Sequence, residues 1–282
     1  MTILQSIFLG ILQGVAEFLP VSSSGHLAVA RKLFDLEEVP LLFDVILHLA
    51  TLLAVCIFFR KKIFSLLCIF ARVIFPKKNL SEEEVSVQTE GRRYIVAIIA
   101  ATVVTGAIGI FTSKIISNAN LKLVCSGFII TADFLVLSSL YEKYHKKKDE
   151  VATESETVEK APGLIQSLII GFAQGIGTLP GISRSGSTIS ASLFCGVNRK
   201  TAGEFSFIVS IPAILGAFIL EFKDLGKVTG TVGIVPLIVG FAVAFVSGYL
   251  SLKFLMTMIK KGRLHWFALY LIPLGLFGIF YF

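Results

Sequence analysis

Two stretches of the sequence decide the fold: residues 13–26, which read QGVAEFLPVSSSGH, and residues 174–188, which read QGIGTLPGISRSGST. Each lies within a longer apolar segment, at 3–34 and 164–197, and interrupts it with proline, glycine and serine. Proline disrupts a helix interior, and the halves on either side are shorter than the roughly 20 residues that a membrane-spanning helix needs. We therefore expect two helical hairpins that enter the membrane and return to the same side.

The two hairpins are also copies of each other. A shift of 161 residues, from Gly10 to Gly171, aligns seven identical residues without a gap. The first copies are Gly10, Gln13, Gly14, Ser22, Ser24, Gly25 and Ala30, and the second are Gly171, Gln174, Gly175, Ser183, Ser185, Gly186 and Ala191. The match predicts an internal duplication.

The composition of the whole chain is that of a membrane protein. Hydrophobic residues make up 55% of the 282 residues and charged residues 16%, and the mean hydropathy is +0.83. A soluble domain of this composition would expose more apolar surface than soluble proteins do, and four cysteines are too few for a disulfide scaffold. Six further stretches are long and apolar enough to be transmembrane helices: 41–59, 94–117, 121–140, 205–222, 231–255 and 265–282.

The sequence thus predicts an all-α polytopic membrane protein, with six transmembrane helices plus two re-entrant helical hairpins related as an inverted-topology repeat. We expect a single integral membrane domain over 1–282, with repeat halves at about 1–140 and 162–282 joined by a cytoplasmic loop at 141–161. Of the 26 Lys and Arg residues, nineteen fall on one side of this topology and six on the other, which makes the first side cytoplasmic. Both termini and the first hairpin then lie on the outer side, and the second hairpin enters from the cytoplasm.

Other segments give further expectations. The polar stretches 76–93 and 141–162 predict solvated connectors, and the lysine run at 146–148 is typical of a topogenic charge cluster rather than a nucleic-acid site. Segment 63–75, which is apolar but contains Arg72, predicts an amphipathic helix along the membrane interface. The N-terminus lacks the basic start of a signal peptide and is expected to belong to the mature fold.

The first hairpin places polar residues on one helical face. Gln13, Gly14 and Glu17 fall at helical spacing, so Glu17 is predicted to face the interior of the bundle. A carboxylate within a membrane is costly, which indicates a functional site or a structural ion pair. After the break, the serines at 22–24 can cap the next half-helix, whose N-terminus suits a phosphate, and His26 lies in its first turn.

The second hairpin supplies a positive charge. Arg184 stands among hydroxyl residues at the start of a half-helix, and its guanidinium matches the oxygens of a phosphate. A fixed salt bridge from Arg184 to Glu17 is the structural alternative. Asp44, His48 and Asp133 could line the same cavity, or each could satisfy a neighbouring helix.

Residues 13–26 and 179–188 resemble the two signature regions of the bacitracin-resistance family of undecaprenyl-diphosphate phosphatases, (E/Q)xxxE followed by PVSSxGH, and PGxSRSxxT. The resemblance covers both hairpins and the hydropathy profile of nearly the whole chain. It implies an enzyme of the bacterial cytoplasmic membrane that hydrolyses undecaprenyl diphosphate to undecaprenyl phosphate and inorganic phosphate, recycles the carrier lipid for peptidoglycan synthesis and confers bacitracin resistance. Gln13 takes the first acidic position here, which leaves Glu17 as the only carboxylate of that pair.

The resemblance also implies roles for residues. Glu17 would bind a metal or act as acid or base, Ser23 or His26 would attack or assist, and Arg184 would hold the diphosphate. The remaining predicted diphosphate contacts are Ser22, Ser24, Gly25, Ser183, Ser185 and Thr188. The implied cofactor is a divalent cation, Mg²⁺ or Ca²⁺, near Glu17 and Gln13.

The partners implied are a polyprenyl diphosphate lipid and the bilayer, with no nucleic acid, and the oligomeric state, a dimer included, stays open. We expect the site to open to the outer face. A secondary transporter or lipid flippase is the alternative, because broken helices in inverted repeats are also a transporter design. Phosphate release by the purified protein would separate the two functions.

Overall fold

The computed structural model describes residues 1–34, 36, 41–75, 81–117, 119–149, 160–222 and 233–282. Throughout these residues the regular structure is helical, without a strand. The helices are α1 (Ile3–Phe18), α2 (Ser23–Leu33), α3 (Leu41–Phe58), α4 (Arg60–Ile74), α5 (Glu82–Ser117), α6 (Leu121–Asp149), α7 (Leu164–Ile176), α8 (Arg184–Phe194), α9 (Arg199–Phe222), α10 (Ile234–Lys260), a 3₁₀ turn (Leu264–Phe267) and α11 (Ala268–Tyr281).

Both predicted hairpins are broken where the sequence indicated. The first consists of α1 and α2, and the second of α7 and α8, and none of these four helices exceeds 16 residues. The second helix of each pair begins after a serine cap with the same spacing. The Ser22 hydroxyl accepts a hydrogen bond from the Gly25 N–H at 3.3 Å, and the Ser183 hydroxyl accepts one from the Gly186 N–H at 3.1 Å. The duplicated serine and glycine therefore make the same capping hydrogen bond twice, although the backbone differs, with a φ of 71° at Ser22 and −79° at Ser183.

The remaining helices make this a multi-pass membrane protein. Five of the described helices are long and apolar enough to cross a membrane, namely α5, α6, α9, α10 and the segment Leu264–Tyr281. The sixth predicted span, α3, meets the length criterion only together with α4, from which it is bent by 79°. Helix α4 covers the segment predicted to be amphipathic. Leu66 and Ile69 on one side are buried, whereas other apolar side chains, such as Phe64 at 69% exposure, are open to the surroundings.

Two predicted connectors are wrong in part, because helices extend into them. Helix α5 begins at Glu82, within the connector expected at 76–93. The Ser81 hydroxyl accepts a hydrogen bond from the Glu84 N–H, and the Glu84 carboxylate accepts one from the Ser81 N–H, a capping box that starts a helix. Helix α6 continues to Asp149, so the connector expected at 141–161 is shorter. Residues 76–80 and 150–159, and the side chains of the lysine run at 146–148, lie outside the described part.

Glycines allow the first helix of each hairpin to pack closely on a long helix from the other half of the chain. Helix α1 packs on α10, and α7 packs on α5. A Cβ atom at Gly14 would come within 2.6 Å of the Ala244 carbonyl oxygen, and one at Gly171 within 2.5 Å of the Ala101 carbonyl oxygen. Only glycine permits this approach of two helix backbones.

Candidate active site

Glu17 is the centre of a cluster that joins the two hairpins. Its side chain is 8% exposed, and its Oε1 accepts a hydrogen bond from Arg184 Nη2 at 2.5 Å. Its Oε2 accepts hydrogen bonds from the Ser23 hydroxyl at 2.6 Å and from Gln13 Nε2 at 3.2 Å. Residues far apart in the sequence, which the motifs singled out separately, thus meet at one carboxylate.

Two polar atoms at this cluster are left without a partner among the described residues. They are Arg184 Nη1 and Gln13 Oε1, and both atoms are buried. Buried polar atoms in folded proteins nearly always have a hydrogen-bond partner, so an unsatisfied donor and an unsatisfied acceptor beside one carboxylate indicate a place for a ligand. Helix α8 carries this arginine as its first residue, directly after the Ser183 cap.

His48, one of three residues that the sequence placed either at the cavity or against a neighbouring helix, faces the cluster. Its Nε2 lies 3.9 Å from Glu17 Oε2, and its Nδ1 donates to the Asp44 carbonyl oxygen at 2.8 Å. The Asp44 carboxylate instead forms a salt bridge with Arg31 of α2. Asp133 is exposed on α6, away from these contacts. Of the three residues, only His48 therefore has its side chain within 4 Å of Glu17.

The turn between α1 and α2 is strained. Ser22 has a φ of 71°, the one positive φ outside glycine in the described residues. Such a conformation is disfavoured for a residue with a side chain, and strain of this kind clusters at functional sites. The Ser22 hydroxyl caps α2. The Ser24 side chain is exposed, and its hydroxyl lies 3.4 Å from that of Ser22. Gly25 packs against the Phe128 ring.

Three of the hydroxyls at the start of α8, those of Ser183, Ser185 and Thr188, bind protein atoms, whereas the buried Ser187 hydroxyl has no partner among the described residues. The Ser185 hydroxyl donates to the Phe18 carbonyl oxygen at 3.1 Å, which ties α8 to the end of α1. The Thr188 hydroxyl donates to the Arg184 carbonyl oxygen at 2.9 Å and also contacts the Ser206 hydroxyl. These side chains, with the Ser183 cap, hold the arginine in place.

His26 is buried in α2, and both of its ring nitrogens bind other groups than Ser23. Nδ1 lies 2.8 Å from the Ser22 carbonyl oxygen, and Nε2 lies 2.8 Å from the Tyr270 hydroxyl. The ring packs between Phe128 and Tyr270, with centroid distances of 4.9 and 5.6 Å. Tyr270, on α11, is a site residue that the sequence did not single out, because tyrosine near the end of a span is an ordinary membrane-interface residue.

The candidate ligands for a divalent cation are few. In the described part of the chain, His, Cys, Asp and Glu nowhere form a group of three that could hold a metal ion. Near Glu17, the oxygens that a hard cation prefers come from its carboxylate and from the unpartnered Gln13 Oε1.

Comparisons with known proteins give a consistent result. The family model described as bacitracin resistance protein BacA matches residues 6–277. Undecaprenyl-diphosphatase of Treponema denticola is 48% identical over 276 residues, which cover 98% of this chain and 96% of that protein. Undecaprenyl-diphosphatase of Borrelia recurrentis is 36% identical over 270 residues, 96% of this chain and 95% of that protein. Undecaprenyl-diphosphatase of Methanosphaera stadtmanae is 36% identical over 280 residues, 98% and 97% of the two chains. Because the family model matches nearly the whole length, both hairpins included, this chain belongs to the bacitracin resistance protein BacA family.

Proposed function

We propose that this chain is an integral membrane phosphatase that hydrolyses undecaprenyl diphosphate to undecaprenyl phosphate and inorganic phosphate. The observation that carries the proposal is the contact of Glu17 with both Arg184 and Ser23, at the point where the two hairpins meet. Full-length relatives are named undecaprenyl-diphosphatase, which supports the same substrate. The product would be the carrier lipid of peptidoglycan synthesis.

The diphosphate would bind where a guanidinium nitrogen lacks a hydrogen-bond partner. Arg184 Nη1 has no partner among the described residues, and a guanidinium can form two parallel hydrogen bonds to phosphate oxygens. The N-termini of α2 and α8 add backbone N–H groups and the positive ends of two helix dipoles. Phosphoryl transfer depends mainly on positive charge placed in this way around the phosphorus.

Binding of the diphosphate would also activate Glu17. When a phosphate oxygen takes over the Arg184 guanidinium, Glu17 Oε1 is released, while Oε2 keeps the 2.6 Å hydrogen bond across which it can take the Ser23 proton. The Ser23 oxygen then bonds to the terminal phosphorus, and the anhydride bond breaks with its electron pair on the bridging oxygen of undecaprenyl phosphate. Water next bonds to the phosphorus and leaves with it as dihydrogen phosphate, while Glu17 returns the proton to the Ser23 oxygen.

A divalent cation fits this site together with its substrate. Mg²⁺ is commonly held by one or two carboxylates, waters and substrate phosphates, so Glu17 and Gln13 Oε1 would suffice on the protein side. When bound, the cation supplies charge neutralisation on the diphosphate oxygens. Arg184 would then bind the phosphate, and Glu17 would contact both the cation and the Ser23 hydroxyl.

We propose further that the two hairpins are re-entrant and inverted, and that the site opens to the outer face of the cytoplasmic membrane. The packing of α1 on α10 and of α7 on α5 supports the repeat, since each hairpin uses a long helix of the other half. The excess of Lys and Arg on one side supports the orientation. A test is Ser24→Cys in a chain whose four cysteines are replaced: an impermeant thiol reagent added outside intact cells should label it.

The central experiment is phosphate release from undecaprenyl diphosphate by the purified protein in detergent with Mg²⁺. We expect release by the wild-type chain, none by Arg184→Ala or Ser23→Ala, and a phosphoserine at Ser23 when the reaction is quenched early. Absence of release by the wild-type chain would contradict the phosphatase function. Lipid movement between leaflets of a liposome without phosphate release would instead support a flippase.

A further inference from the structure

The contact of His26 with Tyr270 has no part in the chemistry proposed above. Helix α2 brings the imidazole against α11, where Tyr270 Oη lies 2.8 Å from His26 Nε2. The two rings are close to parallel, with an interplanar angle of 22°, and Phe128 of α6 closes the other side. Three helices therefore define the position of this one ring.

The partners of His26 determine where its proton lies. A carbonyl oxygen only accepts, so the 2.8 Å contact with the Ser22 carbonyl places a hydrogen on Nδ1. In the neutral ring Nε2 then bears the lone pair, and the Tyr270 hydroxyl donates to it. His26 is therefore held as one tautomer, and the lone pair with which it could accept a proton is already occupied.

This arrangement separates His26 from the proton of Ser23. The Ser23 hydroxyl donates to Glu17 at 2.6 Å, and the ring of His26 is directed toward α11 instead. The imidazole N–H, however, binds the carbonyl of Ser22, the residue whose φ of 71° is disfavoured and which directly precedes Ser23. His26 thus secures the strained backbone that sets the position of the attacking hydroxyl.

We propose that Tyr270 is a positioning residue for the phosphatase reaction: its hydroxyl orients His26, which holds the Ser22 backbone and so aligns Ser23 with Glu17. The proposal rests on the proposed function. Tyr270 is 50% exposed on α11, and the chain of hydrogen bonds from it to the turn is Tyr270 to His26 to Ser22. A hydroxyl at the surface of the bundle would therefore act on the reacting group without touching the substrate.

The test compares Tyr270→Phe with a control on the same helix, Tyr281→Phe. The Tyr281 ring stacks on Phe277 and lies near the end of α11, and among the described residues its hydroxyl has no hydrogen bond. In detergent with undecaprenyl diphosphate, we expect Tyr270→Phe to lower kcat about tenfold with KM within twofold of wild type, because alignment of the attacking group matters in the transition state. Tyr281→Phe should leave both constants unchanged.

A spectroscopic measurement reports on the hydrogen bond itself. With ¹⁵N-labelled histidine, of which the chain has four, the His26 signals are assigned by their loss in His26→Gln. We expect the Nε2 signal to move toward that of a free imidazole nitrogen in Tyr270→Phe and to stay in Tyr281→Phe. Thermal unfolding of each variant shows whether it is folded.

The outcomes distinguish the two proposals. If the wild-type chain releases phosphate but Tyr270→Phe retains its kcat, or if the Nε2 signal does not move, the inference on Tyr270 is wrong while the phosphatase function stands. If the wild-type chain releases no phosphate, the function itself fails and the positioning role falls with it.

Discussion

The salt bridge between Arg184 and Glu17 allows a structural role to be separated from a functional one. The two side chains are 14% and 8% exposed and 2.5 Å apart. Removing one partner leaves the other charge buried and uncompensated, which costs about 3–5 kcal/mol of folding free energy. Removing both charges costs far less, because replacement of a buried ion pair by neutral groups of similar size is often close to neutral. The single variants should therefore be less stable than the double variant.

We expect Glu17→Gln and Arg184→Met each to lower the free energy of unfolding by about 3–5 kcal/mol, and the double variant to recover most of that loss, so that the two losses are far from additive. Unfolding in mixed micelles of increasing SDS content, followed by circular dichroism, measures the three values. All three variants should lack phosphate release. A double variant as unstable as the single ones would contradict the predicted recovery, and one whose loss equals the sum of the single losses would show that the two charges are not coupled. A double variant that hydrolyses the lipid would show that the pair serves only to hold the hairpins together.

Three further predictions concern the neighbours of this pair. Ser23→Ala should lower kcat about 10³-fold or more while the fold persists, because it removes the proposed nucleophile; activity within tenfold of wild type would assign the attack to water. Gly14→Ala should lower the free energy of unfolding by about 1–3 kcal/mol, since its Cβ would lie 2.6 Å from a carbonyl oxygen of α10. Gly106→Ala, where no described atom lies within 4 Å of the added Cβ, should raise it by about 0.5–1 kcal/mol. Gln13→Glu adds a second carboxylate beside Glu17 and should lower the Mg²⁺ concentration for half-maximal phosphate release about tenfold after EDTA treatment; an unchanged concentration would argue against a cation at Gln13.

The broken helices were predictable because their causes are local. Proline and the serine caps end one helix and begin the next, and apolar length identifies the spans. The contact between Glu17 and Arg184 was also predictable, because an isolated charge within a membrane needs a partner of opposite charge. The capping box of Ser81 and Glu84 is also a local signal for a helix start, but the polar composition of this segment led to the prediction of a connector.

The contacts made by side chains of distant helices could not be predicted in the same way. Tyr270 and His26 are 244 positions apart, and their contact depends on how α11 is rotated and shifted against α2. Helical periodicity predicts which face of its helix a residue occupies. It does not determine the axial position of one helix relative to another. For the same reason His48 could not be distinguished from Asp44, and the hydroxyls predicted to contact phosphate could not be assigned to the protein groups that they bind.

The packing of α1 on α10 has a consequence for how the chain assembles during synthesis. About 230 residues separate Gly14 from Ala244, so α1 is made long before the helix that covers its glycine face exists. Until then its polar face, Glu17 included, has neither α10 nor the Arg184 that neutralises it. Neither half of the chain can therefore mature alone, and a chain cut off before α10 would expose its first hairpin to the membrane insertion and quality-control machinery. The active site is completed only when the last helices arrive.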